Sequence, residues 1–382
     1  MRSSVLLGLL PLAAATPFRR APLLTRDNAE EGKYIIVMNQ GAQTSSISSV
    51  VQSISAEADH VYNTIGGFAA SLTEKEVETL RNDPNVAYIQ QNGKASIFAT
   101  QQNAPWGLAR LSNRQPGSTT YTYNENAGDG VCVYVVDTGI DVKHPEFEGR
   151  ATWVATVFGD VSEDDHGHGT HCAGTVGGKT FGVSKKSKLF AIKAFDASGD
   201  GSDASMIAGM EKVIEDAPTR DCPNGVVVSM SFGGDKSEAV NAAGKALVDA
   251  GFFGAVAAGN GDFLGRPLDA GTVSPASEET LCTVGATDKN DKTAYFTNYG
   301  KVVDIFGPGV DVLSAKPGNG SQTMSGTSMA TPHIAGLGAY FLSQGTPAKG
   351  LCEHLQSISL KGVISAVHNS TVNYLAQNGE AA

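Results

Sequence analysis

Positive charge, cysteine and long apolar runs are all scarce in this sequence. Its 28 Lys and Arg residues are outnumbered by 39 Asp and Glu, for a formal net charge of −11. Such a chain is repelled by phosphate backbones and anionic lipid, which argues against nucleic acid or a membrane as its main partner. The 5 cysteines (Cys132, Cys172, Cys222, Cys282, Cys352) contain no Cys-x-x-Cys pair, which argues against structural zinc. Their odd number leaves one unpaired, and their presence fits an oxidising compartment; spacing alone does not choose the pairing. One strongly apolar run, Val5 to Leu12, follows Met1-Arg2 and precedes Ala13-Ala14-Ala15. Those zones read as a signal peptide over residues 1–15. No later run approaches the roughly 20 apolar residues of a membrane helix. The expectation is an exported, soluble protein.

What the chain does have is length and glycine: 382 residues, 45 of them Gly. That is enough for more than one domain, with tight turns and close helix–sheet contacts. Residues 16–32 are polar and irregular and read as a linker. From 33 to about 91 the pattern changes. Tyr34 to Met38 reads as a buried strand, Ser45 to Ala56 as a helix, and His60 to Ile65 and Phe68 to Leu72 as strands joined at Gly66-Gly67. Thr73-Glu-Lys-Glu76 opens a second helix with a capping box, Asp83-Pro84 stops it, and Val86 to Gln90 is a last strand. This β-α-β-β-α-β order predicts a small ferredoxin-like unit. Gln91 to Gln102 is polar and predicts an exposed junction.

A larger α/β domain begins near Trp106. Gly130 to Val136 is a continuous apolar strand of parallel-sheet type, with more at Lys188 to Ala194, Gly225 to Met230 and Phe253 to Ala257. Helical patterns lie between them at His168 to Gly177, Ala204 to Ile214 and Ser237 to Ala250. Alternation of this kind predicts a sheet covered on both faces, with ligands beyond the carboxyl ends of its strands.

Chemistry-bearing residues sit at those ends. Val136-Asp137-Thr138-Gly139 puts a carboxylate at a strand end; a turn Asp is the plain alternative. The Asp-Thr-Gly of an aspartic protease is a further one, but that needs a second copy of the motif, which only a symmetric dimer would supply. Asp164-Asp-His-Gly-His-Gly-Thr-His-Cys172 invites a metal reading, yet a Gly-rich helix start makes a poor rigid cage. A general-base imidazole needs a carboxylate on one ring nitrogen and a hydroxyl on the other. His168 is the choice for that base, with His166 and His171 in structural hydrogen bonds. Ser328 precedes an apolar helix whose N-terminus favours negative charge; the hydroxyl is either a cap or a nucleophile. Asn260, ending Phe253-Gly-Ala-Val-Ala-Ala-Gly-Asn260, is either a turn residue or an oxyanion donor. Esterases of the Gly-x-Ser-x-Gly type run Ser, acid, His; the order Asp137, His168, Ser328 is that of subtilisin.

With these motifs the chain resembles the subtilisin family of serine proteases, most closely its proteinase K-like group. The resemblance is carried by Asp137-Thr-Gly-Ile140, His168-Gly-Thr-His-Cys-Ala-Gly174, Ala257-Ala-Gly-Asn260 and Gly326-Thr-Ser-Met-Ala-Thr-Pro-His333, with Asn103 to Arg110 similar to the group's mature N-terminal region. It implies Ser328 as nucleophile, His168 as base, Asp137 as the residue orienting it, and Asn260 with the Ser328 amide as oxyanion donors. It implies substrate pairing along Gly199-Asp200-Gly201 and Ser231-Phe232-Gly233. Ala257-Ala258-Gly259 would wall a first specificity pocket for apolar or aromatic side chains. Bridges Cys132–Cys222 and Cys282–Cys352 follow by the same comparison, with Cys172 free. So does a calcium site at Asp304 and the carbonyls of Glu279 and Leu281, while Arg114 replaces a ligand of a second site. No cofactor is implied for the chemistry. Residues 33–98 resemble the inhibitory propeptide of these enzymes and 99–382 the peptidase, with a self-cleavage point near Phe98-Ala99. The expected product is a monomeric endopeptidase acting on protein and peptide substrates, held by its own propeptide until cut. It would be secreted, with a vacuolar fate as the alternative, and carries glycosylation sequons at Asn319 and Asn369. An esterase without peptidase activity and a catalytically dead binding homologue are the rival functions.

Overall fold

The computed structural model describes residues 20–26, 29–39, 44–93 and 97–380. The expected signal segment 1–15 lies outside them. The chain divides into two compact units, Met1–Ser96 and Ile97–Ala382.

In the first unit, strands order as Leu23–Leu24, Val86–Gly93, Ala29–Met38, Gly67–Ser71 and Ala58–Tyr62. Ile36, Phe68, Leu80 and Ile89 are fully buried between this sheet and the helices Thr44–Val51 and Glu74–Arg81. The capping box forms: Thr73 Oγ1 accepts from Glu76 N at 3.3 Å while Glu76 Oε2 accepts from Thr73 N at 2.9 Å. Two expectations need correcting. The 16–32 stretch is not wholly irregular: Leu23–Leu24 pairs in parallel with Ile89 and Gln90, and Ala21 joins the core. The first helix ends at Val51, short of Ala56, where Ser53 turns both its amide and its hydroxyl onto the Val50 carbonyl, at 3.0 and 2.6 Å; Ile54 still packs against the core beyond that turn.

The second unit is built on parallel strands β1 (Val131–Asp137), β2 (Ala151–Thr156), β3 (Lys188–Lys193), β4 (Gly225–Met230), β5 (Phe253–Ala257), β6 (Cys282–Thr287) and β7 (Ile305–Pro308). Their spatial order is β7-β6-β5-β4-β1-β3-β2, with the short strands Tyr374–Leu375 and Leu360–Lys361 beyond β7. Alternate residues of β1 serve opposite faces, as a two-residue period demands. Val131, Val133 and Val135 pack with helices α1 (His168–Gly177) and α4 (Thr327–Ser343). Cys132, Tyr134 and Val136 pack with α2 (Asp203–Asp216) and α3 (Glu238–Asp249). Burial on both faces explains why β1 carries no polar residue before Asp137.

Strands β6 and β7 escape a reading by hydrophobic runs. Cys282-Thr-Val-Gly-Ala-Thr287 mixes small and polar residues, yet every one is buried. The junction is also more ordered than its polarity suggests. Phe98–Gln101 pairs antiparallel with Tyr121–Asn124, in register Phe98↔Asn124 to Gln101↔Tyr121, and Gln101 Nε2 donates to Thr180 O at 3.0 Å. Cys132–Cys222 and Cys282–Cys352 are disulfides, and Cys172 is free and buried. Each bridge closes a long loop, worth about 4–5 kcal/mol in a chain-entropy account.

Candidate active site

The carboxyl ends of β1, β4 and β5 deliver Asp137, Ser231 and Asn260 to one rim of the sheet, where α1 and α4 begin. Asp137 is buried and its Oδ1 lies 2.7 Å from His168 Nδ1; the same oxygen accepts from Thr138 N at 2.7 Å. The opposing carboxylate makes Nδ1 the protonated nitrogen, so Nε2 carries the lone pair. Burial works against an imidazolium here, but the Asp137 charge outweighs it and holds His168 well above the ordinary histidine range. Burial pushes the neighbouring Cys172 thiol above the ordinary cysteine range.

The contact depends on glycine. A Cβ on Gly169 would lie 2.1 Å from Gly139 O and 3.1 Å from Asp137 Cβ, so only a bare backbone lets α1 start this close to the end of β1. Gly167, at φ 100°, supplies the left-handed turn into the helix.

Ser328 sits in the first turn of α4, among its unpaired amides. Its Oγ donates to Ser231 O at 3.0 Å, and no hydrogen bond joins it to His168 in this resting state. Ser231 Oγ donates in return to Ser328 O at 2.9 Å. Asn260 Oδ1 accepts from Thr327 N at 2.8 Å and Thr327 Oγ1 at 2.9 Å. With its oxygen committed, the amide turns its Nδ2 toward Gly326, where a Cβ would stand only 3.4 Å away.

The edges expected to hold substrate flank this point. Gly199, Asp200 and Gly201 are exposed, Ser231 is buried, Phe232 half-buried and Gly233 exposed. The rings of Phe195 and Phe232 lie 5.1 Å apart and tie the two edges together. Ala257 and Ala258 are buried beside half-buried Gly259, forming a wall of small side chains. The Asp196 carboxylate is spent on the amides of Ser198 and Asp200, so this acidic run is a self-bonded loop.

The histidine cluster comes apart as a metal cage. His171 Nε2 donates to Val312 O at 3.0 Å inside the core, where burial pushes its pKa down to about 4. His166 is exposed and its Nδ1 accepts from His168 N at 3.3 Å. Sequence reasoning missed Asp164. Its carboxylate accepts from Thr138 Oγ1 (2.8 Å), Gly167 N (2.7 Å) and Thr170 N (2.8 Å), binding the end of β1 to the start of α1. Lys193, buried, reinforces the same corner by donating to Thr138 O at 2.9 Å and Asp165 Oδ1 at 2.6 Å. The one available signal was an Asp just ahead of a Gly-rich helix start, the place of a capping carboxylate.

Asp304 lies beside the Cys282–Cys352 bridge, whose sulfurs are bonded to each other and so cannot act as thiolate ligands. Its oxygens accept from Thr283 N at 2.9 Å and Gln356 Nε2 at 3.2 Å. Burial pushes its pKa up to about 6, with Glu353 adding to the rise. A half-buried carboxylate with an acidic neighbour suits a hard cation with oxygen ligands.

The subtilase family profile matches residues 128–373, and the peptidase inhibitor I9 profile matches 33–97. Proteinase R of Parengyodontium album is 48% identical over 99% of both chains. A cuticle-degrading protease of Metarhizium anisopliae is 48% identical over 99% of this chain and 100% of its own. Among solved structures, a cold-adapted subtilisin-like serine proteinase aligns with TM-score 0.67 and 35% identity, covering 72% of this chain and 99% of that one.

Proposed function

This chain belongs to the subtilase family and carries that family's inhibitor-type prosegment, and from that premise we propose a secreted serine endopeptidase made as a self-cleaving zymogen. The observation that carries the proposal is the 2.7 Å His168–Asp137 contact, at the same sheet rim as Ser328 and Asn260.

In this reading Asp137 fixes the tautomer, and His168 Nε2 takes the Ser328 proton as Oγ attacks the scissile carbonyl. The oxyanion receives the Asn260 amide and the Ser328 N–H. His168 then hands its proton to the leaving amine, and water repeats the sequence to free the acyl group. An incoming substrate amide would compete with the Ser328 hydroxyl for the Ser231 carbonyl, which favours turning Oγ toward His168. Substrate pairs as a strand with Gly199–Gly201 and Ser231–Gly233, which gives main-chain recognition. The small wall Ala257–Gly259 leaves room for apolar and aromatic side chains in the first pocket.

Residues 33–98 would act as folding aid and inhibitor, with the cut near Phe98-Ala99 and residues 99–382 as the mature enzyme. Calcium, when bound, would be held by Asp304 and the carbonyls of Glu279 and Leu281 and would supply stability rather than chemistry. A phenylmethylsulfonyl fluoride-sensitive casein assay, with the label mapped to Ser328, tests the activity. Failure of the reagent to label Ser328 in an active preparation refutes the assignment. A Ser328→Ala chain still trimmed at residue 99 in a protease-free host refutes self-cleavage.

A further inference from the structure

Just past Asn260 the chain enters a turn, residues 262–266, that closes on itself. Asp262 N donates to Arg266 O at 2.9 Å and Gly265 N to Asp262 O at 2.7 Å. The Asp262 carboxylate accepts from Leu264 N at 2.9 Å, Arg266 N at 3.0 Å and Arg266 Nε at 2.7 Å. The root is fixed as well. Asn298 Oδ1 accepts from Gly261 N at 3.0 Å and Leu268 N at 2.8 Å, while its Nδ2 donates to Ala258 O at 2.8 Å. The turn is thereby bolted to the wall of the first specificity pocket. With its polar atoms used internally, the crest presents Phe263, 93% exposed, and Leu264, 63% exposed. Tyr295, 82% exposed, stands beside them: a Cβ on Gly265 would lie 3.9 Å from its Cε2. Apolar groups carried out into water on a self-bonded turn gain nothing from the fold, and such clusters mark contact surfaces.

We propose that Phe263, Leu264 and Tyr295 form an apolar exosite that grips the polypeptide substrate next to its scissile bond. The inference rests on the endopeptidase reading. Phe263 is three chain steps from Asn260, a separation of at most about 11 Å. That is the length of about three residues of extended substrate. The partner is therefore a peptide segment with a Leu- or Phe-type side chain within about three residues of the cut. Other occupants fit less well. The net charge of −11 opposes an anionic lipid surface, and a stable dimer needs about 800 Å² from each copy, far more than these side chains supply. Because the turn is ordered before substrate arrives, the grip carries no loop-ordering cost.

The test compares matured wild type with Phe263→Ser/Leu264→Ser and Tyr295→Ser variants of equal thermal midpoint. N-acetyltyrosine ethyl ester reports the catalytic centre alone. Fluorogenic peptides carrying Leu or Gly at each of three positions on either side of the bond report the exosite. At one or more positions wild type favours Leu about tenfold through KM, the worth of one partly buried apolar side chain. The double variant loses that preference, Tyr295→Ser loses part of it, and kcat and ester hydrolysis stay unchanged. Equal Leu preference in wild type and double variant overturns the proposal. So does wild-type binding to phosphatidylcholine vesicles that the double variant loses while its peptide profile is unchanged. If wild type does not hydrolyse the ester, the endopeptidase reading itself fails and the exosite with it.

Discussion

Ser231 and Ser328 hold each other: the Ser328 hydroxyl donates to the Ser231 carbonyl at 3.0 Å, and the Ser231 hydroxyl donates to the Ser328 carbonyl at 2.9 Å. The pair locks the end of β4 to the first turn of α4 and parks the proposed nucleophile. Ser231→Ala keeps the backbone acceptor but removes the return bond, worth about 1 kcal/mol. The expected result is a kcat lower by about five- to tenfold with KM little changed. An unaltered kcat would mean that the return bond does not position Ser328.

Asn260→Ala removes the proposed oxyanion donor, whose orientation Thr327 sets. Turnover should fall by about 10²–10³-fold, the size of effect known for one such donor in subtilisin itself, with KM nearly constant. Steady-state kinetics on one peptide substrate decide this.

The pH profile follows from His168. Its pKa is raised above 6.5, and as the proposed base it acts only when deprotonated. The ratio kcat/KM should therefore climb with pH through an apparent pKa above 6.5 and still be rising at neutrality. Asp137→Asn removes the charge that raises it, so the limb moves to lower pH while the rate drops by about 10⁴-fold, because the tautomer is no longer fixed. A limb that stays in place would show that Asp137 does not set it.

Acid stability is governed partly by histidines outside the chemistry. His171 and His333 are buried, and burial holds each near pKa 4 instead of 6.5. Between those values the unfolded chain binds protons that the native one excludes. Their contribution is complete above about pH 6.5 and is lost as pH falls toward 4, at up to about 1.4 kcal/mol per unit for each residue. Thermal midpoints measured from pH 7 to 4 should fall less steeply in His333→Gln than in wild type.

Much of this architecture was legible because burial leaves a mark on residue type. Val131 to Val136 is continuous apolar chain since both its faces are covered, and Asp137 ends it where the sheet meets solvent. The Thr73 capping box was readable because its partners are three residues apart. The pairing of Phe98–Gln101 with Tyr121–Asn124 was not: the partners are distant in sequence, and backbone pairing needs no particular side chain. Asp164 stayed hidden because its bonds run to backbone amides and hydroxyls of two elements. The Phe263 crest was hidden too, since Gly-Asp-Phe-Leu-Gly reads as an ordinary turn until exposure is known.

If calcium fills the proposed site at Asp304, removing it should separate stability from chemistry. Chelation of the matured enzyme is expected to lower its thermal midpoint, and excess calcium at about 100 times its Kd to restore about 2.7 kcal/mol. Asp304→Asn should abolish the calcium response while leaving kcat at 25 °C unaltered. A variant that still responds in full would place the ion elsewhere.

The strand at Phe98–Gln101 has a consequence for how maturation proceeds. Asn124, the register partner of Phe98, donates its N–H to the Tyr340 hydroxyl at 2.9 Å. Tyr340 is twelve positions along α4 from Ser328, about 18 Å at 1.5 Å per residue. If the proposed cut falls at Phe98–Ala99, that bond starts out paired in this ribbon, so the proposal requires the ribbon to peel away before Ser328 can act on it. On that proposal the new amino terminus keeps its own partners, Ala99 to Gln101 opposite Tyr121 to Tyr123, and re-pairing there without Phe98 would bias the step against reversal.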